Sequence, residues 1–317
     1  MTKCKRSMTK PRAMIPGPAA PHRWGPAWSF IIFPCIIPPP GRRYTRPLML
    51  ELSRTVRFCL SPDPGDAEAP RRNTFAAWPP MRGLGRYYEL KVTCRGTADP
   101  QTGYFINIKQ IDTAVREAVL PQLRRAVANE AAAARAPVAG LLAAALDALQ
   151  PALSHSVQTL ELWLCPTLSY TLSSNPGRDT MTQVLLKQQY EFSAAHRLHV
   201  PAFSDEENRA TFGKCNNPAG HGHNYRVEVV ASCPVDAHGR TLEPAKLDAA
   251  VDEHLIEVLD HTHLNVDVPA FAALNPSVEH IAVVAWGMLK GKLPGGATLH
   301  EVSVWETGKT VCTYRGG

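Results

Sequence analysis

Two stretches of this 317-residue chain can be laid over one another at a constant offset of 137. Residues 74–88, TFAAWPPMRGLGRYY, align with 211–225, TFGKCNNPAGHGHNY. Thr74-Phe75 falls on Thr211-Phe212, Gly83-x-Gly85 on Gly220-x-Gly222, and Tyr88 on Tyr225. Both stretches run on into alternating strand patterns, then a turn at Gly103 or Gly239, then an apolar-periodic helix at 111–123 or 247–259. A second apolar helix follows at 137–149 or 278–289, and each unit closes on a strand carrying a tryptophan, Trp163 or Trp305. A repeated supersecondary unit predicts two copies of one architecture. Here it is α+β: in each copy an antiparallel four-stranded sheet with two helices on one face.

The units set the domain boundaries. Residues 1–47 carry nine Lys/Arg and no Asp or Glu, are rich in proline, and read as a disordered basic leader. Residues 55–168 form the first unit, the Ser/Thr/Asn/Pro/Gly-rich 169–182 the join, and 183–317 the second unit. The Ala-rich stretch 126–148 is read as buried helix. The net charge of +6 belongs to the leader, since 48–317 holds 25 basic against 28 acidic residues. The charge therefore gives no support to a nucleic-acid partner. No run reaches the ~18 apolar residues of a membrane span. The eight cysteines include no Cys-x-x-Cys pair, which points to a reducing cytoplasm.

Ten of the twelve histidines fall in 196–300. The densest signal is Cys215-Asn-Asn-Pro-Ala-Gly-His221-Gly-His223-Asn-Tyr225. Histidines at i and i+2 of an extended segment point to one face, so two imidazoles can share a metal, with the glycine between them leaving room. His196 ends a strand pattern expected to pair beside them and supplies the third ligand of a zinc site. The first unit is a control. At the places of His196, His221 and His223 it has Pro62, Leu84 and Arg86. His199, His238, His254, His280 and His300 are read as surface or structural, and Cys233 and Cys312 as packing residues.

The second unit resembles the 6-pyruvoyl-tetrahydropterin synthase / 6-carboxytetrahydropterin synthase family over roughly 186–316. The resemblance rests on Phe-Ser-Ala-Ala-His196, Cys215-x5-His221-Gly-His223-Asn-Tyr, Leu-Asp260-His261-x-x-Leu-Asn265, Pro276-Ser-Val-Glu279 and Val-Trp-Glu306-Thr. It implies tunnelling-fold (T-fold) units assembled into homo-oligomers, with zinc on His196, His221 and His223. The implied substrate is 7,8-dihydroneopterin triphosphate. Cys215 is implied as general base, helped by the Asp260-His261 pair, with Glu306 and Glu279 binding the pterin ring. In the first unit Trp78, Arg124, Arg125, Gly140 and Leu164 replace Cys215, Asp260, His261, Glu279 and Glu306, which makes that half a degenerate copy without a metal site.

The expected function is a zinc-dependent lyase. The Ala/Arg/Pro-rich composition favours 6-carboxytetrahydropterin with loss of triphosphate and acetaldehyde, as in 7-deazaguanine and queuosine synthesis. The five-residue gap between Cys215 and His221 looks more like the branch that forms 6-pyruvoyl-tetrahydropterin. Two other classes are a non-enzymatic zinc-containing pterin-binding module and a different enzyme on the same fold. Cys215, Asp260 and His261 together argue against the module, and the three histidines with Cys215 against the other enzyme.

Overall fold

The computed structural model describes residues 49–60, 73, 75–81, 83–174 and 183–317. The leader 1–47, Pro62, Thr74 and most of the expected join lie outside the described residues. Strands β1 (Met49–Leu60) and β2 (Arg86–Thr97) open the described fold. Helix α1 (Ile108–Ala114) passes through a π-helical turn, Val115–Val119, into α2 (Leu120–Ala126). The short α3 (Glu130–Ala133) and α4 (Val138–Ala152) lead to β3 (Val157–Cys165) and β4 (Leu168–Ser173). The Ala-rich stretch is therefore two helices and not one. Pro137 lacks the N–H that a continuous helix needs, and it caps the start of α4 instead. Strand β4 also occupies the front of the stretch read as the join, 169–182.

The second half follows the same order. It contains β5 (Gln183–His196), α5 (Asp205–Phe212), β6 (His221–Pro234) and α6 (Pro244–Val251). A π-helical turn, Asp252–Ile256, runs into α7 (Glu257–Leu259). Then come the two-residue β7 (Thr262–His263), α8 (Leu264–Asp267), α9 (Val278–Leu289), β8 (Thr298–Thr307) and β9 (Thr310–Tyr314). Pro244 takes the first position of α6, where its missing N–H costs nothing. The two π-helical turns start 137 residues apart, at Val115 and Asp252. A cross-strand opposition of unlike charges also recurs with its signs exchanged: Arg57 lies opposite Glu89 on β1–β2, and Glu191 opposite Arg226 on β5–β6.

All strands but β7 join one antiparallel sheet in the order β1-β2-β3-β4-β5-β6-β8-β9. β4 pairs with β5, Leu168 opposite Gln188 and Thr171 opposite Leu185, so the sheet runs without a break from one half to the other. The helices cover one face. Under them lie Leu90, Val92, Leu160, Leu186, Val227 and Val302, packed against Ile111, Leu142, Leu149, Leu255 and Ile281 in one continuous core. The other face is charged. Lys187 reaches Glu161 at 3.2 Å and Glu228 at 3.9 Å, and its ammonium sits over Trp163. Among the described residues, no helix is long and apolar enough to cross a membrane.

A second contact ties the halves together. The Gly140 N–H at the start of α4 donates to the carbonyl of Gly239, in the loop after β6, at 3.0 Å. Gly239 has φ +71, and a Cβ there would lie 2.6 Å from the Gly140 Cα. Gly239→Ala is therefore expected to lose about 2 kcal/mol or more from left-handed strain and backbone overlap. Gly296→Ala provides the comparison, because its φ is +74 yet its Cβ meets nothing nearer than 3.7 Å. Urea unfolding of the two variants should show the larger loss for Gly239→Ala; equal losses would mean that the contact with Gly140 contributes nothing.

Candidate active site

The long ladder between β5 and β6 builds the site. His196 opposes His221, Ala194 opposes His223 and Phe192 opposes Tyr225. Alternation places His196, His221 and His223 on the face that also packs the helices. The ring centroids of His196 lie 4.5 Å from His221 and 5.2 Å from His223. One ligand atom each from His196, His221, His223 and Glu306 lies within 4.8 Å of all the others. Gly222, read as leaving room for a metal, does not do so. Its missing Cβ would point to the opposite face, nearest to the Ala194 carbonyl at 3.6 Å.

The nitrogens are set up as metal ligands. His196 is fully buried, and its Nδ1–H donates to the Pro276 carbonyl at 2.7 Å. That fixes the tautomer and leaves the Nε2 lone pair facing inward. His196 Nε2 lies only 3.0 Å from His221 Nε2. Two lone pairs at that distance repel unless a proton or a cation lies between them. Burial, more than any other factor, pushes the pKa of both His196 and His221 down, which favours the neutral, ligand-competent ring. His221 Nδ1 and His223 Nε2 are buried without hydrogen-bond partners. Three imidazoles and a carboxylate form a donor set suited to zinc.

Glu306 lies closer to this centre than its expected substrate-binding role required. Its Oε1 sits 3.1 Å from His223 Nε2 and 3.4 Å from His196 Nε2. The position follows from the β6–β8 register, which runs from Ser232 opposite Thr298 to Arg226 opposite Trp305 and brings Glu306 to the end of β6 that carries the histidines. Glu279 is not brought to the cluster. It is exposed in the first turn of α9, where a hydrogen bond with the Ser277 hydroxyl lowers its pKa.

Cys215 lies in a 3₁₀ turn, Gly213–Asn216, just before β6 and is half-buried. Burial first, and the Glu306 charge second, raise its pKa. Asp260 and His261 form a tight pair, His261 Nδ1 to Asp260 Oδ2 at 2.7 Å. Asp260 also accepts the Ser193 N–H at 2.7 Å, and this bond leads the causes that lower its pKa. Among the described residues, none of the hydrogen bonds of this pair reaches Cys215. β7 runs parallel along β5 at Ala194 and Ala195, on the side away from β6, whereas Cys215 precedes β6. His261 projects outward with 84 % of its side chain exposed, at φ +57. It lines an open cleft of about 570 Å³ with Ser193, Asn224 and His263.

An antiparallel sheet backed by helices, with three histidines and a carboxylate converging near a cysteine, defines an α+β scaffold with a candidate metal site. Residues 185–317 match the model of the family described as 6-pyruvoyl tetrahydropterin synthase. The human 6-pyruvoyl tetrahydrobiopterin synthase is 41% identical over 144 residues, which is 45% of this chain and 99% of the relative. The Drosophila melanogaster protein of the same name is 42% identical over 132 residues, 41% of this chain and 79% of the relative. The solved Caenorhabditis elegans 6-pyruvoyl tetrahydropterin synthase is 37% identical, covers 44% of this chain and all of its own, and superposes with a TM-score of 0.41. The chain belongs to the 6-pyruvoyl tetrahydropterin synthase family and, with it, to the lyases.

Burial lowers the pKa of His196 and His221, so the metal-free protein is expected to lose stability in acid. Their folded pKa lies below the ordinary ~6.5, so the unfolded chain binds more protons and stability falls as pH drops through that value. Urea midpoints at about pH 7.5 and about pH 5.5 should differ, and His196→Gln should shrink the difference. A difference unchanged by that substitution would place the proton uptake elsewhere.

Proposed function

We propose that the chain converts 7,8-dihydroneopterin triphosphate into 6-pyruvoyl-tetrahydropterin and triphosphate. The observation that carries this reading is the convergence of His196, His221 and His223 with Glu306 beside Cys215. The five-residue spacing from Cys215 to His221 and the names of the relatives support the pyruvoyl product over the carboxy product, which rests on composition alone. Triphosphate leaves from the terminal carbon as the neighbouring carbinol carbon loses its proton, and the resulting enol tautomerises to a methyl ketone. The other carbinol becomes a ketone as the ring's N5=C6 bond is reduced, so no outside oxidant or reductant is needed.

The roles follow from the chemistry of each group. A zinc ion on the three imidazoles would supply Lewis acidity to the side-chain hydroxyls. Glu306 accepts the two N–H groups of the 2-amino-pyrimidinone edge, a bidentate arrangement that fixes the ring. Cys215 takes the proton from side-chain carbon, and its raised pKa means that it needs a cationic neighbour to ionise. His261, held by Asp260 and directed outward from the sheet edge, is placed to serve a thiol on a neighbouring copy. Homo-oligomerisation through the free strand edges β1 and β9 fits that placement. Glu279 is kept as a ring contact of secondary weight.

We further propose that the first half is a degenerate duplicate. Its element order, the π-helical turns 137 residues apart and the exchanged Arg–Glu pair support common descent. Trp78 stands where the second half has Cys215, with the Arg116 guanidinium stacked on its ring. The chain should therefore bind one metal ion, measured by elemental analysis, and two per chain would contradict the duplicate's loss of its site.

Incubation of zinc-loaded protein with dihydroneopterin triphosphate, followed by mass analysis, should give triphosphate and the pyruvoyl product. Release of acetaldehyde would replace this reading with the carboxy-forming one. Cys215→Ala should lower kcat by about 10²–10⁴ while leaving the metal content unchanged. Undiminished turnover would remove the thiol from the mechanism.

A further inference from the structure

His221, His223 and Tyr225 occupy every second position of β6, so their side chains share one face. The β6–β8 register pairs Val227 with Val304 and Arg226 with Trp305. Continued one step past that pair, the same register would bring Glu306 opposite Tyr225, and the Glu306 charge, after burial, is among the causes that raise the Tyr225 pKa. Side chains directly opposed on a sheet face have Cβ atoms about 4.5–5.5 Å apart, within reach of a phenol and a carboxylate.

Tyr225 is fully buried. Its ring stacks on Phe192 with centroids 4.9 Å apart and meets the His223 ring at 5.5 Å. Its hydroxyl is buried and has no hydrogen-bond partner. Phenylalanine would fill the same place without leaving a polar atom unsatisfied, so packing does not account for the hydroxyl. In the first half the same aromatic pair recurs as Phe58 and Tyr88, 6.1 Å apart, but there the tyrosine is partly exposed.

The carboxylate opposite has two demands on it. In this structure Glu306 Oε1 lies against His223 Nε2 and His196 Nε2, the nitrogens that would face a metal. A carboxylate engaged there cannot also present both oxygens to the N–H edge of a pterin. The group next to it that can draw it away is a hydrogen-bond donor with nothing else to bond.

We propose that Tyr225 is the positioning residue for Glu306: its O–H donates to the carboxylate, draws it off the imidazole nitrogens and turns it toward the substrate ring. This rests on the reading of Glu306 as the substrate anchor. A phenol is protonated at neutral pH and so acts as the donor to a carboxylate. The bond is charge-assisted and lies in a buried setting, where such bonds are strong.

The test uses the full-length protein loaded with Co²⁺, whose visible spectrum reports the metal's ligands. In the wild type, Glu306→Gln should leave that spectrum unchanged, because the carboxylate is already off the metal. In Tyr225→Phe the spectrum should shift as Glu306 joins the metal, and adding Glu306→Gln should restore it. With dihydroneopterin triphosphate, Tyr225→Phe should raise KM about tenfold with a smaller change in kcat, the scale of one charge-assisted hydrogen bond. The double variant should be no weaker than Glu306→Gln alone. A wild-type spectrum in Tyr225→Phe, a spectral shift on Glu306→Gln in the wild-type background, or an unchanged KM would each overturn the proposal. The cobalt measurements need no substrate. Lack of turnover by the wild type therefore sinks the substrate assignment, and the role of Tyr225 is judged separately.

Discussion

The antiparallel ladder between β5 and β6 fixes nearly every relation in the site. It runs without a register shift from Gln183 opposite Pro234 to His196 opposite His221. A slip of one residue would turn His221, His223 and Tyr225 to the charged face and bring Gly222 and Asn224 under the helices. The apolar part of the same strands prevents that slip, because Val184, Leu186, Val227 and Val229 would leave the core with them. The histidine cluster is thus held in register by hydrophobic burial further along the strands.

The surroundings of the cluster keep it electrically poised. Burial favours neutral imidazoles, and the Pro276 carbonyl orients the most buried of them. One carboxylate, Glu306, supplies local negative charge and, second to burial, raises the pKa of the nearby thiol. β7 joins β5 on the flank away from β6, and the Asp260–His261 pair that leads into it leaves His261 facing outward.

The α+β mix of strands and helices and the convergence of the three histidines were legible from the chain because each rests on local periodicity. The i, i+2 spacing of His221 and His223 suffices once the strand is recognised, and a strand ending at His196 was visible from its pattern. The nearness of Glu306 to the ligands was not legible, since it depends on the register of two strands more than seventy residues apart in sequence. The outward position of His261 was not legible either, because it depends on which flank of β5 receives β7. The structure also differs where local composition misled. Pro137 divides the Ala-rich stretch, and the Ser/Thr-rich 169–173 is a strand because β3 and β5 lie on either side of it to pair with.

β4 hands over to β5 inside one polypeptide. Ligand-bearing and ligand-free halves are therefore made in equal number by covalent linkage, whatever the concentration of the protein. The described histidine cluster therefore always carries a half without those ligands joined to one flank of its sheet, and what meets the other flank is set by association between chains.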